Sequence, residues 1–191
     1  MNKKYVRGLT LVELLVVLAI LAITLRMATP GFQKFTRESR QVSQSNDFLT
    51  SLRYARNQAV TGRDYVTVCT SSNSSSCSLT DSCSCSAAGS PWESGWIVYL
   101  DNDADRQVDV GEQVLKVYKG LTGENSLRSI LFTIDTSVQF GPTGWVDSVG
   151  SFVLCDERGA SSARGININL SGQARVNQGI DVNGNALNCP S

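Results

Sequence analysis

The stretch Gly8-Leu9-Thr10-Leu11-Val12-Glu13-Leu14-Leu15 decides how the rest of this 191-residue chain is read. From Leu9 to Leu25 the sequence is Leu, Val, Ile and Ala, broken only by Thr10, Glu13 and Thr24. The run falls a little short of the ~20 apolar residues that a membrane-spanning helix needs. Nothing stops a helix at Leu25, however, and Arg26 can snorkel its charge to the interface. Lys3, Lys4 and Arg7 precede the run, and positive charge there sets that end in the cytoplasm. An ordinary cleaved secretory signal fits less well. No small-residue cleavage site closes the run. Moreover, a carboxylate inside it costs about 2.5–3.5 kcal/mol on insertion. A disposable signal gains nothing from Glu13, whereas a retained helix can use the charge by pairing it.

These residues resemble the class III signal of type IV prepilins and pseudopilins. The resemblance implies that a membrane peptidase cuts on the cytoplasmic side between Gly8 and Leu9 and N-methylates Leu9. It implies that Glu13, then fifth in the mature chain, meets the terminal amine of a neighbouring subunit during assembly. Pro30 falls where that family often carries a helix-kinking proline. Leu9 stands where phenylalanine is usual, and Arg26 is a charge that most members lack.

Beyond Pro30, Phe32, Phe35, Val42, Leu49, Leu52, Ala55 and Ala59 recur mostly at three- and four-residue steps, with Arg37, Glu38, Arg40, Gln41 and Asp47 largely between them. The spacing predicts an amphipathic helix that needs a sheet to cover, stopping at Gly62. Short strands follow at Tyr65–Cys69, Gly95–Leu100, Gln113–Tyr118, Ser129–Ile134, Ser137–Phe140, Ser151–Cys155, Gly165–Leu170 and Ala174–Val176. The second and third of these read as hairpin partners. The expected fold class is α+β: a long kinked N-terminal helix packed on antiparallel sheet. Three segments are expected: a leader at 1–8, a membrane and assembly half-helix at 9–29, and a periplasmic ectodomain at 30–191.

Cys69, Cys77, Cys83, Cys85, Cys155 and Cys189 all lie beyond the apolar run. An even count behind an export signal reads as disulfides in an oxidising compartment. Zinc would want paired C-x-x-C units, which the spacings do not supply. Four cysteines cluster around a Ser- and Asn-rich loop and the last two bracket the C-terminal strands. Cys155 is therefore expected to pair with Cys189, and Cys69, Cys77, Cys83 and Cys85 among themselves, in an order left open.

The ectodomain carries a second resemblance. Ala55-Arg56-Asn57-Gln58-Ala59-Val60, Gly95-Trp96-Ile97-Val98-Tyr99 with an acidic turn after it, Phe140-Gly141-Pro142-Thr143-Gly144, and Gly165-Ile166-Asn167-Ile168 followed by Ser171-Gly172 look, in that order, like the GspH/FimT/FimU family of H-type pseudopilins and minor pilins. This implies a non-enzymatic subunit that helps initiate or cap a type IV pilus or a type II secretion pseudopilus. Its implied partners are the prepilin peptidase, other minor and major pilins or pseudopilins, and the inner-membrane assembly platform. Its implied place is the inner membrane, single-pass, with the ectodomain in the periplasm.

The acidic turn Asp101-Asn102-Asp103-Ala104-Asp105-Arg106-Gln107-Val108-Asp109-Val110-Gly111-Glu112 has the ligand rhythm of a calcium loop, with Asp101, Asp103, Asp105, Asp109 and Glu112 as candidate ligands. Against calcium, the sixth position is Arg106 rather than glycine and the flanks read as strands. A polar hairpin tip is favoured, with no cofactor. The alternative function is a FimT-like DNA-binding pilin acting in DNA uptake. Members of that kind use a Gly-Arg-x-Arg motif, and the matching Gly172-Gln173-Ala174-Arg175 lacks the first arginine. Arg164 and Arg175, with Arg158, remain the candidate DNA contacts, diluted by Asp156 and Glu157, and DNA is not favoured. Setting Lys3, Lys4 and Arg7 aside, acidic residues outnumber basic ones, which agrees. The chain has no histidine, no phosphate-binding glycine loop and no nucleophile elbow, so no enzyme reading survives.

Overall fold

The computed structural model describes residues 10–74, 77, 83–86 and 91–189. Gly8 and Leu9, the expected cleavage site, lie outside them. One helix, α1, runs from Leu11 to Gly62. Thr10 caps it: its Oγ1 accepts the backbone N–H of Glu13 at 3.3 Å. The residue in the left-handed conformation after the helix is Arg63, with φ 59°, rather than Gly62.

The chain divides into two compact units at Arg40/Gln41. In the first, the large apolar side chains from Leu11 to Leu25 are between 47% and 77% exposed. Phe32 and Phe35, expected in the stripe that packs on the sheet, are 72% and 70% exposed. The buried stripe instead begins with the second unit. Gln41, Gln44, Ser45, Phe48, Leu49, Leu52, Ala55 and Ala59 are buried along it. Their three- and four-residue steps keep them on one helical face.

That face is covered by eight antiparallel strands in two sheets. The first has the order β3 (Val114–Lys119), β2 (Gly95–Leu100), β1 (Val66–Thr70), β5 (Ser137–Phe140); the second has β4 (Ser126–Ile130), β6 (Gly150–Cys155), β7 (Arg164–Ile168), β8 (Ala174–Gln178). The expected hairpin is present: β2 pairs with β3, Trp96 opposite Tyr118, with a register shift at Val98/Tyr99. The fourth strand ends earlier than its apolar pattern suggested. Ser126 to Ile130 pair with β6, and Leu131 then turns out of the ladder at φ 69°. Leu131 and Ile134 are exposed, whereas Leu127 is buried.

Phe48 joins the layers. Its ring meets Trp92, Trp96 and Phe152 edge-on, at centroid distances of 5.4, 4.9 and 4.6 Å. Trp96 belongs to β2 and Phe152 to β6, so one helical side chain touches both sheets. The buried indole nitrogens are satisfied: Trp96 donates to Ser51 Oγ at 2.9 Å and Trp92 to the Asp135 carbonyl at 2.7 Å. Polar members of the stripe are bonded likewise. Gln41 donates to the Leu154 carbonyl at 3.2 Å, and Gln44 to the Thr122 carbonyl at 2.9 Å.

Three disulfides tie the periphery: Cys69–Cys85, Cys77–Cys83 and Cys155–Cys189. The last closes a sequence separation of 34 and holds the C-terminal tail to β6. A closure of that length contributes about 3–4 kcal/mol in chain-entropy terms.

Phe48→Ala is expected to cost about 3–5 kcal/mol of stability, because it empties the aromatic junction. Phe35→Ala, on an exposed position, is expected to stay within about 0.5 kcal/mol. Urea unfolding of the two full-length variants in detergent, followed by tryptophan fluorescence, measures both.

Candidate functional site

Three features stand out, and the first is the N-terminal helix. Among the described residues, α1 is the helix long and apolar enough to cross a membrane. Glu13 is the carboxylate in its first turn. Thr10-x-x-Glu13 has the spacing of a capping box, a signal legible in the sequence beside the carboxylate itself. An acidic residue there also complements the positive end of the helix dipole. Glu13 thus offers the N–H that Thr10 caps and a carboxylate at the positive end of the helix dipole.

The second feature is the junction where the family-like motifs meet. Arg56, near the end of α1, donates through Nε to the carbonyl oxygens of Gly144 at 3.0 Å and Ser171 at 3.1 Å. Gly144 lies in the turn after β5 and Ser171 in the turn between β7 and β8, so Arg56 ties the helix to a turn of each sheet. Gly172 is at φ 70°, and a β-carbon there would sit 2.0 Å from the Gly144 carbonyl oxygen. Three separate sequence motifs are thus one structural contact. Arg53, Arg56 and Arg175 line a groove of about 390 Å³ beside it, with Asn57, Gly172, Gln173 and Ala174. Two of these arginines are already engaged with protein carbonyls, since Arg53 reaches the Ala174 carbonyl at 3.5 Å.

The arginines singled out for DNA do not form one patch. Arg164 pairs with Gln178 and Arg175 with Asn167 across β7 and β8. An odd separation of three residues along the strand sends their side chains to opposite faces. Arg158 forms an ion pair with Asp156 at 2.6 Å and also donates to Gln41 Oε1 at 3.1 Å.

The third feature is the acidic turn between β2 and β3. Asp101 is fully buried. Its Oδ2 accepts from Thr67 Oγ1 at 2.6 Å, Gln139 Nε2 at 2.7 Å and the Arg106 N–H at 3.2 Å. Asp103 Oδ1 accepts the Asp105 N–H, and Asp105 Oδ1 accepts the Gln107 N–H. Glu112 closes the loop, accepting the N–H groups of Asn102 at 2.7 Å and Asp109 at 3.1 Å. Asp101, Asp103 and Asp105 each place a carboxylate oxygen within 4.8 Å of the other two; Asp109 and Glu112 lie outside that group. The Arg106 guanidinium pairs with Asp147. Burial, helped by the charges of Asp101 and Asp103, pushes the Glu112 carboxyl up despite its two hydrogen bonds. Burial and then the charges of Asp101, Glu112 and Asp105 push the Tyr99 phenol up.

Comparison with known proteins follows the same division of the chain. Residues 44–172 match the family described as type II transport protein GspH. Residues 3–25 match the prokaryotic N-terminal methylation motif. No curated relative matches. Among solved structures, the type IV minor pilin FimU of Pseudomonas aeruginosa is similar in two crystal forms. One has TM-score 0.53 at 18% identity, covering 75% of this chain and 91% of FimU. The other has TM-score 0.51 at 16% identity, covering 71% and 90%.

The Gly172 contact yields a paired test. Gly172→Ala is expected to destabilise more than Gly179→Ala by at least about 1–3 kcal/mol, the scale of an overpacking clash. Both glycines have positive φ, but a β-carbon at Gly179 meets nothing within 4 Å. Thermal or urea unfolding of both variants gives the difference, and equal losses would mean that backbone strain alone matters there.

Proposed function

The chain belongs to the GspH family, and from that premise we propose that it is a non-enzymatic minor pilin or pseudopilin that helps initiate or cap a type IV pilus or type II secretion pseudopilus. The observation that carries this is the uncovered apolar helix with Glu13 in its first turn, lying within the N-terminal methylation motif. Apart from Glu13 and Thr24, the helix from Leu11 to Leu25 is apolar and exposed, with no covering partner among the described residues; lipid, and then the helices of other subunits, suit it.

In this reading residues 1–8 are the leader, removed by the prepilin peptidase between Gly8 and Leu9. Residues 9–29 then form the membrane half of the helix. Those 21 residues rise roughly 31 Å as α-helix, against a hydrocarbon core of ~30 Å. Residues 30–191 are the periplasmic ectodomain, stapled by its disulfides as an oxidising compartment permits. The chain waits in the inner membrane and passes through the assembly platform into contact with other minor and major pilins or pseudopilins. There Glu13 meets the terminal amine of a neighbour, an ion pair that the low dielectric of a helix bundle makes costly to leave half-formed.

Glu13→Ala and Glu13→Gln separate pairing from helix starting. Both are expected to leave export and ectodomain folding intact and to lower incorporation into sheared filaments at least ~10-fold, as loss of one partner of a buried pair predicts. Glutamine still suits the third position of a capping box. Normal incorporation of Glu13→Gln would therefore mean that Glu13 acts as a helix starter and pairs with no amine.

A further inference from the structure

We propose that the turn between β2 and β3 is a calcium site, with Asp101 Oδ1, Asp103 and Asp105 as its carboxylate ligands. The inference rests on what Asp101 is doing. Its side chain is fully buried. Oδ2 is already occupied by Thr67, Gln139 and the Arg106 N–H. Oδ1 is buried too and accepts no hydrogen bond among the described residues. A buried carboxylate oxygen without a donor is costly, and native proteins rarely leave one so. The residue nevertheless places an oxygen within 4.8 Å of one each from Asp103 and Asp105. Three carboxylates at that range repel one another, and the repulsion is strongest where one of them is shut off from water.

The loop's own cation does not relieve this. Arg106 is the single basic residue between Asp101 and Glu112, and its guanidinium is turned to Asp147. A divalent cation bound by the three carboxylates supplies the missing partner for Oδ1 and cancels the repulsion at once. The ligand chemistry favours calcium over magnesium. Two of the three carboxylates are exposed on a surface turn and leave room for water, which suits six to eight oxygen ligands in a flexible geometry. The sixth loop position, where calcium loops carry glycine for a sharp turn, is here Arg106 at φ 69°, so the backbone makes that turn without glycine.

Binding is measured on the isolated chain, so the result stands apart from the assembly reading. Full-length protein in detergent is titrated with calcium chloride by calorimetry, with magnesium chloride as the comparison. One calcium per chain is expected, with Kd on the order of 10⁻⁴ M, the range of extracytoplasmic calcium modules. Thermal unfolding is expected to shift upward by a few degrees at about ten times that concentration. Asp103→Asn/Asp105→Asn, at exposed positions, should weaken calcium at least ten-fold without lowering the unfolding temperature in EDTA, because fewer like charges are left to repel. If that double variant is destabilised in EDTA, Asp103→Asn alone carries the comparison. No saturable calcium binding by the wild-type chain at 5 mM (about fifty times the expected Kd), equal binding of magnesium, or unchanged affinity in the variants would each overturn the site.

Discussion

The contact on which the ectodomain depends is the meeting of Phe48 with Trp92, Trp96 and Phe152. Two separate antiparallel sheets have no hydrogen-bond ladder between them, so something else must fix one against the other. The helix does it with a single ring that touches both. Edge-to-face packing adds geometric preference to apolar burial, so the junction specifies orientation as well as contributing stability. Ala55 and Ala59 continue the stripe with small, fully buried side chains that let strands come close. Arg56 then closes the far end through the carbonyls of Gly144 and Ser171. The Gln41–Ala59 stretch of the helix thus holds both sheets against one face.

The same helix explains the division of labour along the chain. Its buried stripe starts at Gln41, where the second compact unit starts. Ahead of that point Leu11 to Leu25 satisfies no requirement of the ectodomain's core. In a water-soluble protein such a surface would be a liability. The methylation motif covers this stretch, and in the proposed reading it is the surface by which the chain lies in a membrane and joins other helices. The disulfides serve the opposite end of the problem. They restrain a Ser- and Asn-rich loop and a C-terminal tail that have too little apolar surface to hold themselves.

Much of this is legible in the residues, and the exceptions have physical causes. The strands announce themselves through alternation, and Gly95–Leu100 and Ser137–Phe140 fall where their patterns place them. Phe32 and Phe35 mislead because they keep the helical spacing of the buried stripe, and periodicity does not say where covering begins. Phe48 goes unweighed because Gln41, Gln44 and Ser45 around it are polar, and their burial depends on distant partners such as Leu154 and Thr122. Division into two sheets depends on which strands pair across long stretches of sequence, which local pattern does not encode. Arg56, Gly144 and Gly172 are visible as motif residues, but their convergence is a tertiary fact. In the acidic turn the spacing of the aspartates is plain from sequence, whereas the unpartnered oxygen of Asp101 is not.

The central claim is that the apolar helix is kept as the working end of the mature chain, exposed by cleavage beside it. The most direct test is the intact mass of the protein extracted from membranes of cells that possess a prepilin peptidase. The account predicts residues 9–191 with three disulfides and one added methyl group at Leu9. A mature chain beginning beyond Leu25 would contradict it, because the helix would then be a discarded signal.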